Sequence, residues 1–137
     1  MDSFKLSIRA VDRVFFEGDC ESLVVPAGTG MMGIYAHHSN LITSVIPGKL
    51  IMREPGGEDR EAAVAHGILK IQDNHVTLLC EAVEFPEEID EKRAIAARNE
   101  ALEALLLKKS RQDYLMAEAE LQRAMNRLRI KRGEEHL

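Results

Sequence analysis

The apolar residues of this 137-residue chain change their period at Pro86. Before that point they recur every second residue or in short runs, and after it they recur every three or four. Strand side chains alternate between two faces, whereas a helix returns to one face every 3.6 residues. The two patterns demand different elements. The chain is therefore expected to fold as two parts, residues 1–85 and residues 86–137.

In the first part, Phe4, Leu6 and Ile8 alternate with Lys5, Ser7 and Arg9, as a half-buried strand requires. Val14-Phe15-Phe16, Leu23-Val24-Val25, Leu41-Ile42-Thr43 and Leu50-Ile51-Met52 follow. Ala62 to Ala65, Ile68 to Ile71 and Val76 to Leu79 complete the series. Pro47-Gly48, Pro55-Gly56-Gly57 and Asp73-Asn74 lie between them and supply turn geometry. Many short strands with no helix between them predict an antiparallel β-sandwich of two sheets.

In the second part, Ala94, Ala97, Ala101 and Ala104 form a small-residue seam beside Ile95, Leu102, Leu105 and Leu106. Asp90 is the expected N-cap, and Lys108-Lys109 suit the negative end of the helix dipole. Ser110 then caps a second helix, with Asp113 three residues on. Its apolar line runs Tyr114, Ala117, Leu121, Ala124, Leu128. Two helices with almost no linker fold back as an antiparallel hairpin. The fold class is α+β, a sandwich followed by a helical hairpin. Helices of this length are marginal alone, so the hairpin is expected to depend on docking, a ligand or a partner.

Hydrophobic residues make up 45% and charged residues 30% of the chain, which excludes a disordered protein. The net charge of −5 gives no general affinity for nucleic acid. The charge is uneven: residues 1–85 hold 12 acids and 7 bases, and residues 86–137 hold 11 of each. Residues 108–132 hold 8 bases against 3 acids, so an acidic protein surface is their natural partner. No apolar run reaches the roughly 18 residues of a membrane span. The start MDSFKLSIRA has no signal or transit character, which favours a bacterial protein over all but a plastid-encoded one. Cys20 and Cys80 lack CxxC spacing and read as buried reduced thiols of a cytoplasmic protein.

Gly28-Thr29-Gly30-Met31-Met32-Gly33 matches GxGxxG, but no helix can open after it, so a glycine-rich turn between strands is the better account. His37 and His38 are adjacent on an extended chain and point apart, which argues against a shared metal. No phosphate loop, GxSxG or HExxH is present, and no catalytic constellation can be assembled.

In order along the chain, several segments resemble the epsilon subunit family of bacterial F-type, rotary ATP synthases. Val25 to Ile34 looks like its glycine-rich loop and following strand. His38, Leu41-Ile42-Thr43 and Pro47-Gly48 match its His-containing segment and turn. His66-Gly67-Ile68-Leu69-Lys70-Ile71 resembles its Gly-hydrophobic strand. Ile89-Asp90-Glu91-Lys92-Arg93-Ala94 fits its I/L-D-x-x-R-A signature, and Arg123 to Leu128 resembles its second-helix end. Ala36 and Asn40 stand where the family usually has prolines, and Met31 where an acid is common.

The resemblance implies a non-catalytic rotor subunit of the central stalk, peripheral to the cytoplasmic face of the cell membrane. Its sandwich would bind the gamma subunit and the c-ring, with Gly30, Met31, Met32, Gly33 and His38 on that side. It would couple proton-driven rotation to ATP synthesis, and its hairpin would restrain ATP hydrolysis. Lys108, Lys109, Arg111, Arg123, Arg127 and Arg129 would meet an acidic segment of the beta subunits when the hairpin extends against the alpha and beta subunits. Some members bind ATP as a regulatory ligand. That role would fall here to Ile89, Asp90, Arg93, Ala94, Arg123 and Arg127, with Glu84 helping to orient the site. Read from the residues alone, the same motif serves equally as a helix cap with internal salt bridges. A free-standing ATP-sensing module is the alternative function, and partner dependence separates the two.

Overall fold

The computed structural model describes residues 2–107 and 110–133. It divides into two compact units, Met1–Phe85 and Pro86–Leu137.

The first unit holds ten strands: β1 Phe4–Ala10, β2 Val14–Cys20, β3 Ser22–Ala27, β4 Gly30–Tyr35, β5 Leu41–Val45, β6 Gly48–Arg53, β7 Arg60–Val64, β8 Gly67–Gln72, β9 His75–Cys80 and β10 Val83–Glu84. They pair in the order β10-β7-β6-β3-β5-β8-β9-β1-β2, with β4 on the other side of β3. The two expected sheets are thus one hydrogen-bonded sheet folded over on itself. A single pair, Ala27 with Val45, joins the halves. The amide of Ile46 donates to Pro26 O at 2.9 Å and holds the corner.

The alternation reads out as expected. Phe4, Leu6 and Ile8 are buried, and so are Leu50 and Met52, Leu69 and Ile71, Val76 and Leu78. With Leu23, Val25, Ala62 and Val64 they form one core filled from both halves of the sheet. Asp73 and Asn74, both at positive φ (51° and 63°), make the two-residue turn between β8 and β9, as their side-chain chemistry allows.

One pair departs from the antiparallel expectation: β1 and β9 run parallel, from Lys5 opposite His75 to Ala10 opposite Cys80. Parallel neighbours need a long connection, which the seven strands between them provide. Alternation is clean in β1, β6, β8 and β9, whereas β3 and β7 are buried in continuous runs and β4 and β10 show neither pattern. The glycines of β4 break the apolar pattern, and β10 is two residues long.

The second unit holds a 3-10 turn, Pro86–Glu88, and two helices, α1 Glu91–Leu107 and α2 Arg111–Arg132. Both expected caps are made. Asp90 Oδ1 accepts from the amide of Arg93 at 3.2 Å, and Ser110 Oγ accepts from the amide of Asp113 at 3.0 Å. Arg132 Nε donates to Glu91 Oε1 at 2.9 Å, so the end of α2 meets the start of α1, as an antiparallel hairpin requires. The seam is buried at Ala94, Ala101, Ala117, Ala124 and Leu128. Ala104 and Tyr114, expected on it, are exposed, because the seam opens toward the turn between the helices.

Candidate functional site

Adjacent apolar residues on a strand cannot both enter one core. Ile68-Leu69 and Leu78-Leu79 are such pairs; Leu69 and Leu78 face inward, which sends Ile68 and Leu79 to the outer face. There they stand opposite each other, 58% and 54% exposed. Ile42 on β5, 69% exposed, pairs with Lys70, the next outward position on β8. On the far side Arg9 of β1 lies opposite Leu79 and reaches Glu17 at 3.0 Å. The shallow hollow beside this strip is lined by Arg9, Val11, His66, Ile68, Leu79 and Glu81. An apolar strip with a charged rim is how protein interfaces are commonly built.

Ile68 and Leu79 were not among the residues that sequence reasoning singled out. The two adjacent apolar pairs were the available signal, since one member of each has to leave the core.

Gly30, Met31, Met32 and Gly33 lie together on β4, the second strand of a tight hairpin with Ala27 opposite Gly30. Gly30 has φ 126°, a backbone other residues avoid. Met31 is 51% exposed, whereas Met32 packs against the core. His37 and His38 find separate partners: His37 Nε2 lies 3.2 Å from Asp2 Oδ2, and His38 Nδ1 lies 2.8 Å from Ser39 O. Among the described residues no three of His, Cys, Asp and Glu converge as metal ligands.

The residues implicated in nucleotide binding divide between the two units. Glu84 is on β10, paired with Ala63. In the helical unit, Ile89 and Ala94 are buried, while Asp90 and Arg93 are exposed at the start of α1. Arg123, Arg127 and Arg129 are half-buried on α2. With Arg132 against Glu91 and a rise of about 1.5 Å per residue, Arg127 lies about 4.5 Å from Arg93 along the axis, and Arg123 about 10 Å away. Of the basic residues expected at the turn, Arg111 is exposed as the first residue of α2. Lys108 and Lys109 lie outside the described residues.

Burial raises both thiols. Cys80 is pushed up to about 11 by desolvation and by the nearby Glu81 carboxylate. Cys20 is raised by desolvation, although Arg53 O and Ser22 O accept from its Sγ. Both cysteines are free and buried. Among the described residues, no helix is long and apolar enough to cross a membrane.

Two family profiles match the chain end to end. The beta-sandwich domain of the ATP synthase Delta/Epsilon chain covers residues 3–86, and the long alpha-helix domain of the same chain covers residues 87–132. The ATP synthase epsilon chain of Caldicellulosiruptor saccharolyticus is 42% identical over 130 residues, 95% of this chain and 94% of the relative. That of Caldanaerobacter subterraneus subsp. tengcongensis is 40% identical over 128 residues, 93% of each. Among solved structures, a chain of the Euglena gracilis mitochondrial ATP synthase (OSCP/F1/c-ring) shares the fold. Its TM-score is 0.76 at 19% identity, over 90% of this chain and 78% of that one.

Proposed function

Because this chain belongs to the ATP synthase delta/epsilon family, with bacterial epsilon chains among its relatives, we propose that it works as a non-catalytic subunit of the central stalk. In this reading the sandwich docks on the gamma subunit and the c-ring and carries rotation between proton flow and ATP synthesis. The complex would hold it at the cytoplasmic face of the cell membrane.

The observation that carries the reading is the bare apolar strip of Ile42, Ile68 and Leu79. The core is already filled from the inner faces, and this outer area lies outside it. Covering it would contribute about 25 cal/mol per Å² of apolar surface, the kind of gain a stable partner supplies. The gamma subunit is the proposed partner for this strip. The β4 hairpin with the exposed Met31 is the proposed c-ring side.

We assign the helical unit a restraining role on ATP hydrolysis. Leu102, Leu106, Leu107, Leu115 and Met116 are all exposed near its turn, next to Arg111, and would seat against an acidic apolar segment of the alpha and beta subunits. ATP is the proposed regulatory ligand of Arg93 and Arg127, with Arg123 and Asp90 beside them. The small axial offset between Arg93 and Arg127 supports that pairing, since two planar guanidinium forks suit one phosphate chain.

A binding measurement with purified gamma subunit tests the main reading. Saturable binding that is lost when Ile68 and Leu79 become aspartates supports it. A chain that binds ATP and no gamma subunit would instead be a free-standing sensor.

A further inference from the structure

Burial in the helical hairpin is concentrated at one end. The buried positions are Ala94 and Ala101 on α1, and Ala117, Ala124, Asn126, Leu128 and Ile130 on α2. Among the described residues from 102 to 116 none is buried. Closure of the pair is therefore decided near the start of α1 and the end of α2.

Two cations act at that end. Lys131 Nζ donates to Pro86 O at 3.0 Å, and Arg132 Nε donates to Glu91 Oε1 at 2.9 Å. Neither is needed to finish its own helix, because the amide of Gly133 already serves the carbonyls of Arg129 and Ile130. Each charge also lies at the favourable end of a helix dipole: Arg132 at the C-terminus of α2 and Glu91 at the N-terminus of α1.

We propose that Lys131 and Arg132 form a releasable clamp at the base of the hairpin, and that its parting is the first step by which α2 separates from α1. The Arg132–Glu91 pair is about two-fifths exposed on both sides, so it is screened by salt and weak enough to open. A competing carboxylate or anion that takes Lys131 and Arg132 would favour the separated helices.

Amide hydrogen exchange on the full chain tests this without any partner, and so independently of the assignment to the central stalk. Lys131→Met with Arg132→Gln should speed exchange of the α2 amides between 117 and 130 by about threefold to tenfold, with the sandwich amides unchanged. Glu91→Arg should do the same alone, and adding Arg132→Glu should return protection toward wild type. Unchanged α2 exchange in the first variant, or no recovery in the charge swap, would overturn the proposal. Faster exchange across the sandwich would do so too, since the clamp lies within the helical unit.

Discussion

Ile68 and Leu79 face each other across β8 and β9, both more than half exposed. The pair stands back to back with the core residues Leu69 and Leu78, themselves opposite each other one position on. The strands are thus apolar on both faces at this point, although water covers one of them in the isolated chain. That surplus is what a second subunit explains.

Gly67 opens β8 beside this pair. A Cβ there would meet Leu79 O at 2.5 Å and Cys80 Cβ at 2.9 Å. Gly67→Ala should therefore force the two strands apart and destabilise the sandwich by about 1–3 kcal/mol. Thermal unfolding should show a midpoint lowered by several degrees. An unchanged midpoint would mean that the strands separate without strain.

The thiols give a pH dependence with a definite sign. Cys80 keeps its proton in the folded chain up to about 11, against an ordinary value of 9.0. Above pH 9 the unfolded chain binds fewer protons than the folded one, so stability falls as pH rises between 9 and 11. Below pH 9 this contribution is constant. Denaturant unfolding at pH 8, 9 and 10 should show the decline, and it should shrink in Cys80→Ala. At pH 8 neither cysteine should react with a thiol reagent until the chain unfolds.

The two helix caps should be separable by mutation. Asp90→Ala leaves the Arg93 amide without its 3.2 Å acceptor, and Ser110→Ala does the same to Asp113 at 3.0 Å. Each should cost about 1 kcal/mol of helix stability. Circular dichroism should show earlier melting of the helices in both variants, with the sandwich core unaffected.

Calorimetry with ATP addresses the proposed ligand. Binding by the isolated chain should be saturable, and both Arg93→Ala and Arg127→Ala should weaken it at least tenfold. At micromolar affinity, millimolar ATP would add roughly 4 kcal/mol to the binding-competent form, enough to bias a marginal hairpin. Absence of heat at millimolar ATP would leave these arginines to structural or partner contacts.

Much of the fold was legible in local chemistry. Phe4, Leu6 and Ile8 announce their strand by strict alternation, and Asp90 and Ser110 announce the helix starts. Where two apolar residues adjoin, as at Ile68-Leu69, alternation does not say which enters the core, and the outer strip stayed hidden for that reason. The parallel pairing of β1 with β9 is a tertiary choice that no local pattern encodes. The contact of Arg132 with Glu91 spans 41 residues and depends on helix register. The basic run was visible from the sequence, whereas the roles of its members were not: Arg132 enters an ion pair at the base, and Arg111 sits exposed at the other end of α2.

The most direct test of the account is the affinity of the chain for purified gamma subunit, wild type beside Ile68→Asp with Leu79→Asp. The two aspartates would stand opposite each other on β8 and β9, so the variant should lose about 1–2 kcal/mol of stability and stay folded, which thermal unfolding checks before binding is compared. The account expects tight binding by the wild type and at least a hundredfold loss in the variant, since central apolar contacts dominate such interfaces. Equal binding by the two proteins would contradict the assignment of this face, and no binding by the wild type would contradict the central-stalk role itself.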